Sequence, residues 1–265
     1  MIKDFTRIMP KKGCEEWIKK LGEMSALFSN TEYETIKRGL RRIAIIRVSP
    51  DNLNLFLEKI NKDRLLFTPV LKVAESSSFS ILNKSIKPGD PFSWEGFLSR
   101  NNKDAQKFKK YYLENDHIGI GEMLDYPKCC TDHFIRTFLI DPCPIWEGVS
   151  GKVKGYPESN RLIRYFGPVI TAHISCSPDC KETKKMGKEW FKIMKNIDSK
   201  LADEMYQLLA GPMVWNSYHG VVQVETPYFI GLNSAYYIPK EPRIIEWLGE
   251  IKEKTPRNKK LKRKK

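Results

Sequence analysis

The chain has 265 residues, of which 41% are apolar and 11% aromatic, enough to bury a real core and to exclude a wholly disordered protein. Six cysteines are far too few for a small secreted scaffold held by disulfides, so the thiols need another explanation. The formal charge of +14 favours a polyanion or an acidic surface as partner.

The opening residues mix acid, base and proline, and no run of about 18 apolar residues occurs. Neither a signal peptide nor a membrane span is expected, and a cytoplasmic location follows as an expectation. There, free thiols stay reduced, and clustered ones more often bind metal or react than form bridges.

The first amphipathic stretch lies around Trp17, Ile18 and Leu21. Ile43–Val48 is rich in branched apolar side chains and reads as a strand, followed by Ser49 and Pro50 as a helix start. Leu53, Phe56, Leu57 and Ile60 form the apolar stripe of that helix, and residues 65–73 read as a second strand, completing a β-α-β unit. Residues 76–96, rich in serine, proline and glycine, read as a long loop or boundary, after which 104–114 regains a helical pattern. A helix over 198–209 ends at Gly211-Pro212, and 213–237 shows extended segments punctuated by His219-Gly220 and Pro227. The expected fold is α+β. A small β-α-β amino-terminal layer (1–100) precedes a helix-rich, cysteine-bearing α+β domain (101–250) with a carboxyl-terminal β-hairpin region.

The remaining residues, 251–265, are expected to be a disordered basic tail. From Lys252 to the final Lys265 there are nine basic residues and one acidic, so this stretch carries +8 of the +14. Such a charge run can hold RNA or another polyanion by counterion release, or simply solubilise the chain end. No aromatic residue interrupts it to stack on bases.

Two stretches hold the informative chemistry: Asp125-Tyr126-Pro127-Lys128-Cys129-Cys130-Thr131-Asp132-His133 and His173-Ile174-Ser175-Cys176-Ser177-Pro178-Asp179-Cys180. In each, a cysteine follows a proline by two positions and a plausible helix follows. With Pro127 and Pro178 at the first helical position, Cys129 and Cys180 fall in the first turn, where unpaired N–H groups and the helix dipole favour a thiolate. Cys129, Cys130, Cys176 and Cys180, with His133 and His173 at hand, could supply ligands to zinc or attachment points to an iron-sulfur cluster. Adjacent cysteines seldom bind one zinc ion, which favours the cluster. The competing reading is ordinary burial, since cysteine packs as a small hydrophobe. Cys143, in a Pro-Cys-Pro turn, could be a further ligand, and Cys14 is incidental.

The segment from Gly121 to Cys130, with the one from His173 to Cys180, resembles the uncharacterised prokaryotic domain-of-unknown-function family number 483. The similarity covers roughly residues 119–181, with a looser likeness over 211–237. The family's pattern is Gly-Tyr-Pro-x-Cys-Cys and His-x-Pro-Cys-Ser-x-x-Cys; here Asp125 replaces the first glycine and Ser175 the proline. No reaction comes with the resemblance. What it implies is the importance of the four cysteines.

Gly119-Ile120-Gly121 lacks the third glycine of a dinucleotide fingerprint and reads as a helix entry, and neither a Walker A sequence nor a Gly-x-Ser-x-Gly elbow is present. Trp215, Tyr218, His219, Glu225, Tyr228 and Phe229 could line a pocket, although core and hairpin packing is their commoner role. Three functions emerge from these residues. One is a Cys-ligated metalloprotein acting on an anionic or RNA substrate. The others are a nucleic-acid-binding module with a structural zinc site and a thiol-disulfide redox protein.

Overall fold

The computed structural model describes residues 5–74, 89–140, 143, 145–218, 220–234 and 242–250. Its architecture is α+β, with the amino-terminal strand-helix layer and the carboxyl-terminal strands where the sequence placed them. Among the described residues, no helix is long and apolar enough to cross a membrane. The segment 251–265, His219, residues 76–88 of the expected loop and 235–237 of the expected extended stretch lie outside the described residues.

Chain order gives β1 (Thr6–Pro10), α1 (Trp17–Lys37), β2 (Ile43–Val48), α2 (Pro50–Lys62), β3 (Leu66–Ala74) and β4 (Phe92–Ser99). The β-α-β unit is present with one correction. Residues 92–96, expected to be loop, form most of β4, which lies between β2 and β3 and runs antiparallel to both. Serine and glycine signal a turn only when no neighbouring strand claims their backbone groups; here Gly96 packs so tightly that a Cβ would collide with the Phe67 ring and the Thr68 carbonyl. Alternation along this three-stranded sheet feeds two cores. Ala44 and its cross-strand partner Leu98 face Tyr33 and Ile36 of α1 and Ile60 of α2. Ile43 and Phe97 face the other way, onto α3 (Asn102–Glu114) and α4 (His117–Met123).

Beyond α4 come α5 (Lys128–His133), which runs into a π-helical turn at Phe134–Phe138, then β5 (Gly151–Gly155), α6 (Lys181–Ile197) and α7 (Ser199–Ala210). The last strands are β6 (Met213–Tyr218), β7 (Val221–Glu225), β8 (Phe229–Asn233) and β9 (Ile244–Glu250). They form a six-stranded sheet in the order β1-β8-β7-β6-β9-β5, antiparallel except for the β5–β9 pair. Trp215, Val222, Val224, Phe229 and Trp247 from this sheet meet Leu21 and Met24 of α1, Trp190 of α6 and Met205 of α7 in the largest core. Helix α1 therefore serves both sheets, its first half in the large core and its second half in the small one.

Of the residues that could line a pocket around 215–229, the four whose side chains are described take part in packing or ion pairing. Trp215 and Phe229 are fully buried, Tyr228 stacks on Trp17 with ring centroids 4.0 Å apart, and Glu225 pairs with Lys11 at 2.8 Å.

Candidate metal centre

The two cysteine motifs start from different parts of the fold. Cys129 and Cys130 ride on α5, which packs on α4; a Cβ on Gly121 of α4 would strike the Thr131 side chain, so that glycine lets the two helices close. The turn entering α5 is tied to β2. Arg41 donates from Nε to the Leu124 carbonyl at 3.1 Å, and Asp125 accepts from the Arg42 backbone N–H at 2.8 Å and from its Nε at 3.1 Å. Asp125 has φ of +56°, in the left-handed region that favours glycine. Its carboxylate offsets this strain through Arg42. Asp125→Ala keeps the strain and loses the bonds, so it should cost about 2–3 kcal/mol, and Asp125→Gly about 1 kcal/mol less. Urea unfolding of both variants checks the order; equal losses would refute it.

Cys176 and Cys180 belong to the other side, in the loop that leads into α6. That loop hangs from the large core: the Tyr156 N–H donates to the Pro178 carbonyl at 2.9 Å, and Trp146 Nε1 donates to Ser175 Oγ at 3.0 Å. A Cβ on Gly155 would collide with the Pro178 carbonyl and the Trp247 ring, so β5 and the loop meet backbone to backbone.

These anchors bring four sulfurs together. Cys129 Sγ lies 3.8 Å from Cys130 Sγ and 3.8 Å from Cys180 Sγ, and the latter two are 3.7 Å apart. All four, Cys176 included, lie within 4.8 Å of one another and could hold a metal ion. A regular tetrahedron with metal–sulfur bonds of about 2.3 Å has edges of about 3.8 Å, the spacing of three of these pairs. Cys130 and Cys180 are buried, Cys176 is partly buried and Cys129 exposed; no disulfide joins any of the cysteines among the described residues.

The expected helix starts shift slightly. Pro127 is the N-cap residue of α5, one position earlier than expected, and Pro178 lies three residues before α6 begins. Cys180 is itself the N-cap of α6, and its sulfur accepts from the Thr183 N–H at 3.4 Å. A thiol in the place of the usual hydroxyl or carboxylate hid this cap. Hydrogen bonding from Cys130, with further bonds from Thr183, draws the Cys180 thiol down to about 4. The Cys180 contact and burial push Cys130 up, and burial followed by Cys180 pushes Cys176 up to about 12. Without a cation, one thiolate is thus shared among thiols that resist further ionisation. A bound cation removes that mutual penalty.

Neither histidine joins the group of converging donors among the described residues. His133 Nε2 faces Thr137 Oγ1 at 3.4 Å. His173 is buried behind the sulfurs, its Nε2 2.8 Å from Thr183 Oγ1, which in turn lies 3.4 Å from Cys130 Sγ. Cys143 stands apart and accepts from the Arg243 guanidinium at 3.4 Å. Cys14 packs at the edge of the large core.

No family model, curated protein or solved structure matches the chain.

Burial, with the charges of Arg161 and Arg41, lowers the His173 pKa from 6.5 to about 3. Between those values the unfolded chain takes up a proton that the folded chain refuses. The contribution is whole above pH 6.5 and shrinks as pH falls, by up to about 1.4 kcal/mol per unit. Urea midpoints measured from pH 7 to 4.5 should fall less steeply for His173→Gln than for the wild type. Identical slopes would contradict a buried neutral imidazole.

Proposed function

We propose that the chain is a four-cysteine metalloprotein in which one zinc-type ion, bound by Cys129, Cys130, Cys176 and Cys180, joins its two packing layers. The observation that carries this reading is the sulfur spacing, with all four atoms inside 4.8 Å. A multi-iron cluster spreads its cysteine ligands over separate metal atoms and would need the sulfurs farther apart, so the sulfur spacing favours one ion, against the expectation that the adjacency of Cys129 and Cys130 favours a cluster. That adjacency works because Cys129 reaches the site from the exposed side of the first turn of α5 and Cys130 from the buried side.

Four sulfurs fill a tetrahedral shell, which favours a structural ion over one with an open position for substrate. The ion's role is mechanical. It fastens α5, held by β2 and α4, to the N-cap of α6, held by the large core. Membership of the family that the two motifs resemble belongs to the same proposal, supported by the left-handed Asp125 at the glycine position. A polyanion such as RNA is the partner class that the charge of +14 suits best.

Anaerobic purification followed by elemental analysis tests the reading. About one zinc per chain in a colourless protein is expected; several irons with acid-labile sulfide, or a metal-free protein with paired cysteines, would overturn it.

A further inference from the structure

Beside the sulfurs lies a cavity of about 380 Å³, walled by Cys130 and His173 at one end and by α4, the π-helical turn and Arg161 and Arg164 elsewhere. Its body is apolar, lined by Ile45, Ile120, Leu124, Phe134, Phe138 and Ile174. Two guanidinium groups on such a wall call for an explanation, because a buried charge needs a partner.

The protein supplies little. Arg161 donates from Nη1 to the carbonyls of Thr171 at 2.7 Å and Ala172 at 3.4 Å, and its buried Nε has no partner among the described residues. Arg164 lies against the Tyr165 ring, 5.0 Å from its centroid, and hydrogen-bonds the Tyr165 side chain, a neutral partner. No carboxylate among the described residues forms an ion pair with either; the nearby acid, Glu32, is taken by Arg41 at 3.1 Å. Burial, and then the charge of Arg164, lowers Arg161 to about 9. His173 adds a second buried nitrogen, Nδ1, without a partner among the described residues, to the same cavity wall.

We propose that the cavity binds a small organic carboxylate, its head on Arg161 and Arg164 and its apolar body against Leu124, Phe134 and Phe138. Arginine suits a carboxylate because its planar fork can pair with both oxygens. The volume admits a body of about a dozen heavy atoms, taking about 30 Å³ for each water-sized unit. A singly charged head fits an apolar chamber better than a phosphate dianion, which costs more to desolvate.

Calorimetric titration of the full metal-loaded protein with benzoate, phenylacetate and indole-3-acetate, each against its primary amide and against phenyl phosphate, tests this. At least one carboxylate should bind ten-fold or more tighter than its amide and raise the unfolding temperature, and Arg164→Met should weaken it at least ten-fold. The amide comparison needs only the wild-type chain, so it stands even where the variant folds poorly. Equal affinity for acid and amide, no binding of any of the three acids, or a preference for phenyl phosphate would overturn the assignment.

Discussion

Replacing Cys180 with alanine should release the ion and cost the fold at least about 4 kcal/mol, the stabilisation that a ligand at a thousand times its dissociation constant confers. The sulfur of Cys180 has two tasks. It touches both Cys129 and Cys130, and it caps α6 by accepting from Thr183. The lost cap alone is worth about 1 kcal/mol. The rest comes from the ion, since binding to the folded chain and not the unfolded one becomes folding energy. Metal content per chain and thermal unfolding, measured together, separate the two. The variant should hold almost no metal, and a chelator should destabilise the wild type strongly and the variant hardly at all. Cys14→Ser, outside the tetrad, should keep full metal content. A Cys180→Ala protein that retains its ion would refute the assignment of this ligand.

The second large effect is expected at Trp146. Its ring is buried and stacks on Trp247 with centroids 6.1 Å apart, and its N–H holds Ser175, the residue before Cys176. Trp146→Ala should cost about 3–5 kcal/mol through the cavity it leaves. It should also loosen metal binding, because the loop loses one of the bonds that hold Ser175, beside Cys176. Trp146→Phe keeps most of the volume and loses only that bond, so its metal affinity should fall further than its stability suggests. Competition with a chromophoric chelator reads the affinity, and denaturant unfolding reads the stability. Unchanged affinity in both variants would show that the large core does not position the loop.

Much of this was legible in the residues. β2 and α2 stand where branched side chains, Ser49 and Pro50 put them, and α7 begins after Asp198, whose side chain caps Leu201. The four cysteines were legible because two motifs repeat one arrangement of proline, cysteine and helix. What the sequence hid is long-range. β1 pairs with β8, more than two hundred residues away, and five residues ending in proline carry no alternation strong enough to announce that. β4 looked like loop because its serine and glycine are turn formers in isolation. The choice between one ion and a cluster depends on sulfur–sulfur distances, which spacing along the chain does not contain. The arginine-walled cavity is hidden for the same reason: Arg161 and Arg164 are ordinary basic residues in sequence, and only the burial of Arg161 and the half-burial of Arg164 with no acid paired to either among the described residues mark them.

Metal-edge X-ray absorption on the purified protein measures the central claim most directly. One shell of four sulfurs at about 2.3 Å with no metal–metal scattering is the predicted result. A short metal–metal vector, or a shell containing nitrogen or oxygen in place of one or more sulfurs, would contradict it.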